Sequence, residues 1–82
     1  MSTRNEILEN IVTNYVVVIS GYRKIYQMNN FVAFMRKHVL TFAGRQDMLK
    51  QLTLIYKRAT KADQLEISRL INLLEFYEDF VD

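Results

Sequence analysis

The chain has 82 residues, half of them hydrophobic, and a formal net charge of +2. This length predicts one domain spanning residues 1–82, and the hydrophobic share is too high for a disordered chain. The absence of Cys excludes a disulfide framework and thiolate chemistry. No apolar run reaches the roughly 18 residues of a membrane span, and the N-terminus lacks a signal-peptide pattern. We therefore expect a cytosolic protein.

The charges are divided unevenly along the sequence. Residues 1–62 carry ten Lys or Arg against three Asp or Glu, whereas residues 63–82 carry one basic and six acidic residues. Such an asymmetry can steer a partner, or it can lead the acidic end to fold back on its own chain. Two solvated faces of a helical bundle would account for it equally well.

The first predicted helix runs from Thr3 to Gln27. Thr3 and Glu6 have the spacing of a capping box at its start. Apolar residues then recur at helical spacing and fill an arc of about 140°, wider than the arc of about 100° of an ordinary surface helix. They are Ile7, Leu8, Ile11, Val12, Tyr15, Val18, Ile19, Tyr22, Ile25 and Tyr26. So wide an arc predicts that one edge packs on the domain and the other meets a second protein. The alternative is a small bundle that covers the whole arc.

Three further helices are predicted. The second runs from Asn30 to Val39, with an Asn as its cap. The segment Leu40–Arg45 is the clearest break, because Gly44 can take the left-handed conformation that a sharp turn needs. The third helix runs from Gln46 to Ala59, and the fourth from Lys61 to Phe80. We therefore expect an all-α bundle of four main helices with a helix-turn-helix-like middle.

No pattern in the sequence indicates catalysis. His38 is the only His, so a metal site of the His/Cys type is excluded, and His38 is more typical of a helix end or an interface than of a catalyst. No glycine-rich phosphate loop is present. Glu75, Glu78 and Asp79 lie at one helix end and are more typical of solvated acids than of a general acid/base pair. We expect neither an enzyme nor a cofactor.

A helix-turn-helix DNA-binding regulator is the alternative function. Helix 2, the Gly44 turn and helix 3 would form the motif, and the recognition helix would offer Gln46, Lys50, Gln51, Lys57 and Arg58 to a DNA groove. Two features weaken this interpretation. The predicted turn is longer than the usual three to four residues, and Asp47 near the start of the helix would repel phosphate.

The stretch from Asn29 to Asp63 contains three motifs, N-N-F-V-A-F (Asn29 to Phe34), G-R (Gly44, Arg45) and T-K-A-D (Thr60 to Asp63). In these motifs it resembles the AsiA family of anti-sigma factors from T-even-like phages. The motifs have the same mutual spacings as in the family, so residues 29–63 align without a gap. Helix 1 is similar in character after a small shift.

The resemblance implies a small all-helical protein that forms a homodimer through apolar surface on its N-terminal half. It would exchange that dimer for a heterodimer with region 4 of the primary sigma factor in host bacterial RNA polymerase. Region 4 reads the −35 promoter element and docks on the β-flap of the polymerase. Its capture would inhibit host transcription in the bacterial cytoplasm, and a phage activator of the MotA type would redirect the polymerase to middle promoters.

The resemblance also implies which residues face the sigma factor or a second copy. These candidates are Glu9, Ile11, Val12, Tyr15, Val16, Ile19 and Tyr22 on helix 1, with Met35 and His38 on helix 2. Glu9 is the best candidate for pairing with basic residues of region 4. No cofactor, membrane contact or direct DNA binding is implied. The C-terminal helix matches the family only in pattern, which leaves the contacts with the β-flap and the activator open.

Overall fold

The computed structural model describes residues 3–81, with side chains through residue 79. The described residues form four helices, α1 (Arg4–Ser20), α2 (Met28–His38), α3 (Phe42–Tyr56) and α4 (Lys61–Val81), and no strand is found among them. The helix α1 packs against α2 and α4, and α3 packs against α4 and α2. The all-α bundle predicted from the sequence is thus confirmed.

The helices α1 and α4 run antiparallel. The hydroxyl of Tyr22, just after α1, donates to the carboxylate of Asp63 in the first turn of α4. Further along, Val18 and Leu70 line the same groove between the two helices. The C-terminal end of α1 therefore lies beside the N-terminal end of α4.

Most of the apolar arc that lies on α1 is buried within one chain, and Ile7 and Val18 are half-buried. Tyr26, at the end of the predicted arc, is exposed. All four helices contribute to a single core, and α1 supplies more buried residues than any other helix. The core comprises Leu8, Ile11, Val12, Tyr15, Val16, Ile19, Met35, Val39, Met48, Leu52, Ile55, Ile67, Leu70, Leu74 and Tyr77. On α1 itself the domain covers most of the arc, because α2 and α4 both pack against this helix. This contradicts the expectation that a whole edge of the arc is left free on α1.

The first helix is also shorter than predicted, since it ends at Ser20 and not at Gln27. Its last turn tightens, with the amide of Gly21 donating to the carbonyl of Val18 at 3.1 Å. The Ser20 hydroxyl donates to the carbonyl of Val17 at 2.9 Å, a bond typical of serine near helix ends. Glycine has low helix propensity, so two adjacent weak helix formers end the helix. Residues 21–27, the 21–27 segment below, are not helical.

The third helix begins at Phe42, four residues before the predicted start. Thr41 is its N-cap, because its hydroxyl accepts the amide of Gly44 at 2.9 Å. Gly44 therefore lies in the first turn of α3, and it does not have the left-handed conformation expected from the sequence. Its lack of a side chain serves packing instead, because a Cβ at this position would lie 1.7 Å from the carbonyl oxygen of His38.

The end of α4 folds back on α3 through one buried ion pair. Arg45 is buried and pairs with Glu78, and its Nη1 donates to the carbonyl of Val39 at 2.9 Å. The same guanidinium lies over the ring of Tyr77, with 5.2 Å from its carbon to the ring centroid. Glu78 is therefore not the solvated acid that the sequence suggests, whereas Glu75 and Asp79 are exposed.

Candidate interaction surfaces

Six of the nine candidate interface residues lie in the core and not on the surface. They are Ile11, Val12, Tyr15, Val16, Ile19 and Met35, and each is at most 7% exposed. A partner that binds the folded chain has no access to these side chains beyond their small exposed fraction. Their assignment as sigma-facing residues is therefore corrected, because their apolar periodicity reflects packing of α1 and α2 inside the bundle.

The burial of Tyr15 changes its acidity. Loss of solvent around the phenol, reinforced by the nearby carboxylate of Asp47, raises the pKa of Tyr15 to about 12. The positive charge of Arg23 opposes this shift only in part. A phenol that stays neutral up to so high a pH is typical of a core tyrosine. It does not indicate a general base at neutral pH.

Glu9 is the one candidate that is fully at the surface. Its Oε1 accepts from Nη2 of Arg36 at 2.8 Å and from Nε at 3.2 Å, which joins α1 to α2. The hydrogen bond from Arg36 lowers the pKa of Glu9 below its usual value. Because the pair is exposed, it contributes little to stability. A basic residue of a partner would share Glu9 with Arg36.

Tyr22 and His38 are half-buried, and both already have partners within the chain. The hydrogen bond to Asp63 is the main reason that the pKa of Tyr22 is raised. Nε2 of His38 lies 3.1 Å from Oδ2 of Asp47. The imidazole ring also stacks on Phe34, with 5.0 Å between the ring centroids. Both candidates therefore present only part of their side chains to a partner.

Exposed apolar side chains are concentrated around the junction of α2 and α3, on α2, in the connection and at the first residue of α3. Phe34, Leu40 and Phe42 are 57%, 61% and 62% exposed, and they fall within nine consecutive residues. We call these three residues the α2–α3 corner. Surface of this kind often marks a protein interaction site. Leu40 and Phe42 are not among the predicted interface residues because they lie in the predicted break, although two large apolar residues flanking the cap Thr41 were a visible signal.

Leu40 also borders a small groove between α1 and α2. The groove has a volume of about 190 Å³, and its apolar walls come from Leu8, Val12 and Val39. Glu9 and Arg36 line it as well. The structure therefore brings the predicted residue Glu9 to a groove that opens beside the α2–α3 corner.

A larger groove of about 370 Å³ lies between α1 and α4. Its apolar lining comes from Val17, Val18, Leu70 and Leu73, and its polar lining comes from Asn14, Tyr22, Asp63, Glu66 and Arg69. Glu66 and Arg69 pair with each other at 3.0 Å. The isolated apolar residue Val17, on the otherwise polar side of α1, is thus part of this groove.

Among residues 3–81 there is no group of three or more His, Asp or Glu side chains placed to hold a metal ion. Within the same residues, no helix combines the length and the apolar character needed to cross a membrane.

Comparison with protein-family models, with curated proteins and with solved structures finds no match to this chain.

Proposed function

We propose that this chain is an anti-sigma protein of the phage AsiA type. It binds region 4 of the primary sigma factor of bacterial RNA polymerase, blocks recognition of the −35 promoter element and inhibits host transcription. The observation that carries the proposal is the exposed α2–α3 corner, which lies inside the segment that resembles this family. The protein acts by occupying its target, without catalysis and without a cofactor.

The residues that carry the resemblance have defined structural roles. Gly44 permits the close approach of the His38 carbonyl, and Arg45 holds the buried pair with Glu78. The hydroxyl of Thr60 accepts the amide of Asp63 at 3.2 Å and so caps α4. These roles explain why the same residue types at the same spacing would produce the same arrangement of α2, α3 and the start of α4. They support a shared fold for residues 29–63.

The docking surface in this proposal differs from the one expected from the sequence. The α2–α3 corner supplies two aromatic rings and a leucine, and aromatic residues are enriched at protein interfaces. Glu9 and Asp47 add carboxylates near this corner, through the groove beside Leu40 and the contact with His38. Region 4 reads DNA and so presents basic residues that these carboxylates can attract.

The proposal extends to the partners that the family implies. The free protein forms a homodimer through the same corner and exchanges it for region 4. The polymerase β-flap and an activator of the MotA type would meet the C-terminal turns of α4, where Glu75 and Asp79 are exposed. All of these events take place in the cytoplasm of the host bacterium.

The direct test is capture of the purified primary sigma factor, and of its isolated region 4, by the immobilised full chain. We expect retention of both at micromolar concentration, together with loss of transcription from a −35-dependent promoter in a purified system. If neither protein is retained, the proposed function is wrong. Retention of full-length sigma without region 4 would place the contact elsewhere and would also contradict the proposal.

One observation favours the helix-turn-helix alternative. The connection between α2 and α3 consists of residues 39–41 alone, which brings it within the three to four residues usual for the motif. The outer side of α3 exposes Gln46 and Lys50, and Lys57 is exposed just after the helix ends. A mobility-shift assay on duplex DNA separates the two functions. Affinity that falls steeply with salt and is lost in Lys50→Gln would support the alternative.

A further inference from the structure

One end of the bundle gathers positive charge. It is formed by the 21–27 segment and by residues 57–63, which lead from α3 into α4. These two stretches carry five basic side chains against one carboxylate. The basic residues are Arg23, Lys24, Lys57, Arg58 and Lys61, and all of them are exposed. We call these five residues the basic end.

Two contacts of Tyr22 hold these stretches together. The guanidinium carbon of Arg58 lies 5.9 Å from the centroid of the Tyr22 ring. The hydroxyl of the same tyrosine donates to Asp63. The one carboxylate at this end is therefore half-buried and already used as an acceptor within the chain, so it neutralises the basic end only in part.

The nearest remaining acid of α4, Glu66, already pairs with Arg69, and the exposed acids further along the helix are too far away to neutralise this charge. Glu75 and Asp79 lie fourteen and eighteen residues after Lys61, which is about 20 Å or more along the helix axis. This distance exceeds the screening length of about 8 Å at physiological salt. The positive end of the helix dipole at the start of α4 adds to the local field. The basic end therefore attracts anions from solution.

An exposed aromatic ring accompanies these cations. Tyr26 is 84% exposed, and Nζ of Lys24 lies 5.6 Å from the centroid of its ring. Tyr56, at the end of α3, is also exposed. Cations interleaved with exposed rings are typical of proteins that bind single-stranded nucleic acid, in which phosphates pair with the cations and bases stack on the rings. An acidic protein would pair with the cations, but it has no bases to stack on the exposed ring of Tyr26.

We propose that the basic end binds single-stranded nucleic acid, with Lys24, Lys57 and Lys61 at backbone phosphates and Tyr26 stacked on a base. This departs from the expectation of no direct DNA binding. The sequence pattern placed Tyr22 and Tyr26 on the apolar arc of a helix, whereas the structure places them in a non-helical segment beside the cations. The proposal does not rest on the sigma interaction, because it uses none of the residues of the α2–α3 corner.

The test is fluorescence anisotropy of the full chain with a labelled oligothymidylate of about 20 nucleotides, long enough for one protein site. We expect binding at low salt that weakens as salt is raised. The double variant Lys24→Gln/Lys61→Gln should reduce the slope of log affinity against log salt by about 1.4, since each lost phosphate contact removes about 0.7. The double variant Arg4→Gln/Lys37→Gln removes the same net charge from α1 and α2, away from the basic end, and should leave the slope unchanged.

A second variant separates nucleic acid from an acidic protein. Tyr26→Ala should weaken oligothymidylate binding by about tenfold, and it should leave binding of polyglutamate, which has no bases, unchanged. Circular dichroism checks that each variant stays folded. The proposal is overturned if the unmodified chain does not bind at low salt, or if the two double variants weaken binding equally. It is also overturned if Tyr26→Ala leaves oligothymidylate affinity intact. That result would indicate that the basic end binds acidic proteins instead.

Discussion

The guanidinium of Arg45 on α3 pairs with the carboxylate of Glu78 on α4, thirty-three residues further along the chain. The two side chains are only 8% and 15% exposed. Because Arg45 also donates to the carbonyl of Val39, this contact joins the last turns of α4 to the α2–α3 connection. In such a buried environment, removing one of the two charges destabilises the fold, because the other charge is left desolvated and unpaired.

We therefore expect Arg45→Met to lower the free energy of unfolding by about 3 kcal/mol, measured by urea denaturation. Arg69→Met is the matched control, because Arg69 pairs with Glu66 on the exposed side of α4 and should cost less than about 1 kcal/mol. If both variants lose the same stability, the contact between Arg45 and Glu78 does not hold α4 in place.

The two glycines of the chain should respond in opposite ways to alanine. A Cβ at position 44 would lie 1.7 Å from the His38 carbonyl oxygen, so Gly44→Ala must displace the backbone at the α2–α3 connection. We expect it to cost at least about 2 kcal/mol, although alanine normally stabilises a helical position. At position 21 the nearest atom to a Cβ is the Val18 carbonyl oxygen at 3.4 Å, and φ is −74°. Gly21→Ala should therefore be neutral or stabilise the fold by up to about 1 kcal/mol.

Thermal and urea unfolding of both glycine variants measure this difference. If Gly44→Ala stabilises the fold, the α2–α3 connection must leave more space around position 44 than the structure shows. Destabilisation by Gly21→Ala would contradict the assigned end of α1.

High pH should destabilise the fold through ionisation of Tyr15. Its pKa is raised from 10 to about 12 in the folded state, so folding favours the neutral phenol. The resulting contribution to stability is complete below pH 10 and is lost as the pH rises through about 12. Ultraviolet titration of phenolate formation should show a late step near pH 12 that is missing in Tyr15→Phe. A variant that keeps the late step would assign it to another tyrosine.

Local signals in the sequence were sufficient for much of the fold. The predicted cap at Thr3 and the predicted start of α4 at Lys61 agree with the structure, because each depends on a hydroxyl and an amide three residues apart. The end of α1 was missed for a physical reason. Ile25 is half-buried in the 21–27 segment, so a core-facing residue continues the apolar period after the helix has ended.

The site was less predictable than the fold. Whether Ile11 or Ile19 faces a partner depends on which helices flank α1, and that arrangement is a property of the whole chain. The periodicity of one helix records how much apolar surface it has, but it does not record what covers that surface. Leu40, in contrast, is exposed because α2 has ended and the chain turns at that point. A loop position of this kind carries no periodic signal.

Substitutions in the core and at the α2–α3 corner should have different effects on stability and on sigma binding. Comparing them tests where a sigma factor would bind. Leu40→Lys places a charge on a side chain that is already mostly solvated, so its effect on stability should stay within about 0.5 kcal/mol. If the α2–α3 corner is the docking surface, the same change should weaken capture of region 4 by at least about tenfold, because a lysine there would be desolvated in the complex. Calorimetric titration with purified region 4 measures this effect.

Two controls make the result interpretable. Leu65→Lys changes an equally exposed leucine on α4, away from the corner, and should alter neither stability nor capture. Ile19→Lys buries a charge in the core and should abolish the helical signal in circular dichroism, because Ile19 has no exposed surface. If instead Ile19→Lys remains folded and loses only the sigma interaction, α1 must swing out of the bundle to meet its partner. The arc of α1 would then be the docking surface after all, and the α2–α3 corner would not.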